Sequence, residues 1–100
     1  MVPSLTEDEI ENAFPGCEFV HVVQAVTALS PAVTEALLGD IRNSQAALSA
    51  LNVATRGGRL EHRFRLQGVK PAEARAMADR WRREAGVLHV AVEHQICARS

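Results

Sequence analysis

Histidine titrates near neutral pH and is the commonest metal ligand, so His21, His62 and His89 are the first side chains to weigh for chemistry. Each falls in a stretch with strand character, and a three-histidine metal centre would need all of them on one face. Alternation argues against convergence: His62 keeps step with Leu60, Phe64 and Leu66, whereas His89 lies opposite Leu88 and Val90. His62 reads as a hydrogen-bonded core histidine, His21 and His89 read as surface or interface residues, and no metal is expected. Glu61, Arg63 and Arg65 form the polar side of the segment that holds His62, a solvated face with Arg56 and Arg59 close by. Trp81, the only tryptophan, sits on an apolar helical stripe and reads as packing. Cys17 and Cys97 are too few for a disulfide scaffold, form no CxxC pair, and read as reduced thiols; bridging them would require their Cα atoms within about 7 Å. No Ser-His-Asp set, phosphate-binding loop, dinucleotide fingerprint or acid pair is present, so no catalytic residue and no cofactor is expected.

The elements that must position these side chains belong to one domain, because 100 residues support one hydrophobic core. With 47% apolar and 23% charged residues the composition is that of a globular protein, and a net charge of −1 offers no electrostatic footprint for nucleic acid or an anionic membrane. The longest apolar stretch, Phe19 to Leu29, is broken by His21 and Gln24 and is too short to span a bilayer. Glu7, Asp8, Glu9 and Glu11 stand where a secretory signal would be basic, so a cytoplasmic location is expected. Abundant Ala and Arg, one Lys and no Tyr suggest a GC-rich bacterial genome.

A leading helix is announced by Thr6 as cap, Glu9 as its capping-box partner and Leu5 stapled onto Ile10, with Pro15 and Gly16 ending it. Glu18 to Ala28, with Val20, Val22, Val23 and Val26, reads as a central strand. Ser30 then caps a helix with Pro31 at its first position and Val33, Leu37, Leu38 and Ile41 at helical spacing; Gly39 predicts a last turn that frays toward Asn43 and Ser44. Ala46 to Thr55 leads through Gly57 and Gly58, a hairpin turn, into the strand Leu60 to Leu66. Pro71 opens another helix, whose stripe is Ala74, Met77, Ala78, Trp81 and Ala85 and whose C′ residue is Gly86. Val87 to Val92 is the last strand, followed by a tail.

The order strand, helix, strand, strand, helix, strand predicts a ferredoxin-like α+β sandwich: a four-stranded antiparallel sheet with two helices on one face, the first strand lying between the third and the last. Leu37, Phe64, Met77, Trp81 and Val90 form the expected core. The chain divides into a capping helix and linker over residues 1–16, the sandwich over 17–96 and a tail over 97–100. The other sheet face is left open, and valines at its centre call for cover by oligomerisation.

The stretches Ala46 to Thr55 (AALSALNVAT), the Gly57-Gly58 turn, Leu60 to Leu66 (LEHRFRL) and Gly86 to Val92 (GVLHVAV) resemble ACT domains, especially the small regulatory subunits of acetolactate synthase and the C-terminal domains of stringent-response synthetases. The similarity covers roughly residues 18 to 95. It implies a non-enzymatic regulatory module that pairs with itself, with a small effector, commonly an amino acid, held near the loop from the first strand to the following helix. By position that loop is Thr27 to Ala32, and Leu29, Ser30, Pro31 and Ala32 are the implied ligand-binding residues; Ala32 stands where the family usually has glycine. The implied partners are a second copy, a metabolic enzyme and a small-molecule effector. Another class of function open to such a fold is a dimeric α+β barrel enzyme with His21 or His89 as base, and a third is an oligomerisation domain without ligand.

Overall fold

The computed structural model describes residues 6–13 and 18–97. Its elements run α1 (Glu7–Ala13), β1 (Glu18–Ala28), α2 (Pro31–Asn43), β2 (Ala47–Arg56), β3 (Arg59–Gln67), α3 (Pro71–Arg82) and β4 (Val87–Cys97). The sheet is four-stranded in the order β2-β3-β1-β4, and every pairing is antiparallel. This is the predicted βαββαβ sandwich. β1 is central because a strand dense in β-branched residues can be buried on both faces, and Val20, Val22, Val23 and Ala25 are all buried.

One sheet face packs against the helices. Val23, Ala25, Phe64, Leu66 and Val90 meet Leu37 and Ile41 of α2 and Met77, Ala78 and Trp81 of α3, so the expected core is the observed one. Its centre is aromatic: Phe64 lies edge-on to Trp81 at 5.0 Å between ring centroids and stacks on His62 at 5.7 Å. The helices are also joined by charge, since Trp81 Nε1 donates to Asp40 Oδ2 at 2.7 Å and Arg80 reaches the same carboxylate.

At α1, Thr6 and Glu9 exchange hydrogen bonds, with the Glu9 amide donating to Thr6 Oγ1 at 3.2 Å. Leu5, Pro15, Gly16 and Cys17 lie outside the described residues, as does the side chain of Cys97.

Four local expectations are corrected. β4 continues to Cys97 instead of ending at Val92, because β1 is eleven residues long and its first half pairs with Glu93 to Cys97. α3 ends at Arg82 with Arg83 as cap, so Gly86 does not terminate it; with φ 88 it forms the turn into β4. α2 runs through Asn43 to a cap at Ser44, whose hydroxyl and amide both donate to the Ile41 carbonyl, and Gly39 breaks nothing. On the open face the valines are not the exposed spine expected of a lone chain: Val20 and Val22 are 2% and 4% exposed. Val22 is flanked in register by Arg65 and Glu93.

Candidate functional site

The chemistry-bearing side chains separate into four places. The first is the loop between β1 and α2. Ser30 occupies the N-cap position of α2, but its hydroxyl makes no bond to the first turn. Thr27 is buried and turns its hydroxyl to the Ala28 carbonyl, while Leu29, Pro31 and Ala32 face outward, Leu29 being 58% exposed. The loop is fastened from behind: the Ala28 amide donates to the Gly86 carbonyl at 2.8 Å, and a Cβ on Gly86 would lie 2.7 Å from Val33 Cγ2 of α2. A left-handed turn with no side chain is what lets the α3–β4 connection seat against α2.

The second place is a buried histidine pair. His21 lies on the helix-facing side of β1 and is fully buried, which corrects its reading as a surface residue. Its Nε2–H donates to the Val69 carbonyl at 2.8 Å, which leaves Nδ1 as acceptor, and the Nδ1 of His94 stands 2.9 Å from it. His94, directly opposite in the β1–β4 register, therefore supplies the proton between them. Its Nε2 is buried without a hydrogen bond and lies 3.4 Å from the Glu7 carboxylate, which also meets Arg75 at 3.5 Å. Burial holds the His21 pKa below the ordinary 6.5; the bond to Val69 opposes this, His94 adds to it and Glu73 opposes it.

His62 forms the third. Its Nδ1–H donates to the Ala25 carbonyl and its Nε2 meets the Thr34 hydroxyl at 2.6 Å, so both ring nitrogens are engaged, as expected of a core histidine. The fourth is a shallow hollow of about 470 Å³ on the open sheet face, bordered by Gln24, Val26, Asn52, Ala54, Glu61 and Arg63. His89 is exposed on the same face, opposite Val26. His21, His62 and His89 do not converge, and among the described residues no group of three metal-ligating side chains is found. No helix of the described residues is long and apolar enough to cross a membrane.

His94 is the residue that sequence reasoning missed, because the strand was ended two residues before it. The signal was present: Val90, Val92, His94 and Ile96 continue one alternation, with Glu93 and Gln95 on the other side.

With β2-β3-β1-β4 order and two helices on one face, the architecture is that of a ferredoxin-like α+β sandwich. The chain is similar to the ACT domain of GTP pyrophosphokinase from Chlorobium tepidum, with a TM-score of 0.67 at 14% identity over 76% of this chain and 99% of that one. It is also similar to the C-terminal domain of the MgtC protein from Mycobacterium tuberculosis, with a TM-score of 0.66 at 14% identity over 87% and 97% of the two chains. A homoserine dehydrogenase from Thiobacillus denitrificans contains a comparable unit, TM-score 0.62 at 9% identity, matching 79% of this chain and 17% of the enzyme. No family model and no curated protein matches the sequence. At these identities the likeness is one of fold.

Proposed function

We propose that this chain is a small regulatory or ligand-binding module that pairs with itself through the β2 edge and senses a small metabolite such as an amino acid, or modulates a partner enzyme. The observation that carries the reading is the state of that edge. Every residue of β2 except Leu51 is exposed, the strand has no proline, and it carries no charge before Arg56. Strands that end a sheet are ordinarily guarded by charge, proline or cover. A bulge between Leu48 and Ala50 guards only the first part, while Ala50 to Thr55 stays regular and presents Val53 at 45% exposure. The opposite edge, β4, carries His89, Glu93 and His94 and is guarded by comparison.

The effector would lie at Leu29, Ser30, Pro31 and Ala32. The unused Ser30 hydroxyl and the Ala32 amide at the start of α2 suit a carboxylate, and exposed Leu29 suits an apolar side chain. Catalysis by a sheet histidine is the weaker reading, since His21 and His62 are buried with ring nitrogens engaged and His89 lies outside the hollow's border. Sedimentation equilibrium of the wild type and of Val53→Lys tests the pairing: the wild type should exceed 10.9 kDa and the variant should move toward it. A thermal-shift screen of the amino acids tests the loop, with a ligand-induced rise expected in the wild type and lost when Ser30 and Ala32 are replaced by bulky residues.

A further inference from the structure

The open sheet face carries a charge pattern that complements itself. Along β1, Val22 stands between Arg65 on β3 and Glu93 on β4, Gln24 between Arg63 and Ala91, and Val26 between Glu61 and His89. Arg63, Arg65, Glu93 and His89 are exposed, and none of them has an ion pair within the described residues; Glu61 is half-buried and meets Arg56 at 3.5 Å.

Lay a twofold axis along β1, midway between two such faces. It sets β1 over β1 and β3 over the second copy's β4, and it preserves the level along the strand. Arg65 then meets the second copy's Glu93, and Glu61 meets its His89, each pair occurring twice. Arg63 faces the small Ala91. An axis across the strands does less well. Through Gln24 it pairs Arg65 with Glu61 and Glu93 with His89 but sets Arg63 on Arg63, and through Val22 it sets Arg65 on Arg65 and Glu93 on Glu93.

We propose that the open face, β1 flanked by β3 and β4, is a docking surface for a second copy of this chain, stacked about a twofold axis along β1 with Arg65 opposite Glu93. Aligned sheets pack about 10 Å apart, a gap that arginine and glutamate side chains reaching from both sides can close. Because Val20 and Val22 are already shielded, the face is not indiscriminately adhesive, and the charges select the orientation. The inference rests on the reading of the chain as self-associating but uses another surface: β2 overhangs the stacked strands and keeps its edge free.

The test is sedimentation equilibrium at low salt on the full chain, its Arg65→Glu and Glu93→Arg variants, and the double charge swap, with far-UV circular dichroism confirming the fold of each. Either reversal should weaken association by at least about tenfold, since like charges then oppose each other at two places, and the swap should restore it. Arg65→Gln and Glu93→Gln, which add no repulsion, should weaken it less, and raised salt should weaken the wild type. Association indifferent to the reversals, or a swap no better than its parents, overturns the proposal. Sensitivity to Val53→Lys alone would leave edge pairing standing and remove face stacking. Sensitivity to the charge reversals alone would do the opposite, and a wild type that stays at 10.9 kDa removes both.

Discussion

His21 and His94 face each other across β1 and β4 with their Nδ1 atoms 2.9 Å apart, a contact with room for one proton. Adding a second proton would set two donors against each other, and burial already disfavours charge on His21. The folded chain therefore resists protonation at this residue, whereas the unfolded chain takes up the proton at the ordinary 6.5.

From that difference we expect acid to destabilise the fold. Above about pH 6.5 His21 is neutral in both states and its contribution is fully present; below it the unfolded state binds the extra proton, and stability falls by up to about 1.4 kcal/mol per pH unit until the folded pKa is reached. Urea titrations between about pH 7.5 and pH 5 measure the slope. A stability that is flat or rises on acidification would show that His21 is not held neutral.

Phe64 fills the space between His62 and Trp81 and is fully buried. Phe64→Ala should cost about 3 to 5 kcal/mol, the usual loss for a core aromatic. A cost under about 1 kcal/mol in denaturant would mean that the ring does not pack as described.

The Asp40 carboxylate accepts from the buried indole of Trp81. Asp40→Ala should leave that N–H without a partner and cost about 1 to 3 kcal/mol, while Asp40→Asn, which keeps an acceptor, should cost less. As Trp81 is the only tryptophan, its fluorescence reports both the unfolding midpoint and any change at the indole.

Gly86 combines a φ of 88 with the 2.7 Å approach of its missing Cβ to Val33. Gly86→Ala should destabilise by about 1 to 3 kcal/mol, and Val33→Ala in the same chain should recover part of the loss, because it relieves the collision and leaves the backbone strain. Equal melting temperatures for the single and double variants would place all of the cost in the backbone.

Most of the fold is legible in the residues. The valines of β1, the alternation of β3, the Gly57-Gly58 turn and the prolines opening α2 and α3 each state a local preference that agrees with the whole. What was not legible depends on partners distant in sequence. The alternation of Val92, His94 and Ile96 is a weak mark of strand beside the valines of β1, and the place of Glu93 to Cys97 in the sheet rests on the first half of β1 that it pairs with. The end of α3 was misjudged because Gly86 serves the approach to Val33 and not the helix. Of the candidate site, the position of Ser30 at the start of α2 was readable, but its unused hydroxyl was not.

The unequal cover of the strands has a consequence for motion. β1 lies between two strands and is mostly buried, whereas β2 is exposed along nearly its whole length and hydrogen-bonds to β3 alone. Local opening follows burial and the number of partners, so amide hydrogens of β2 should exchange with solvent well before those of β1. Any association along β2 would slow that exchange. The most exposed strand is thus also the part of the sheet with the most order left to gain.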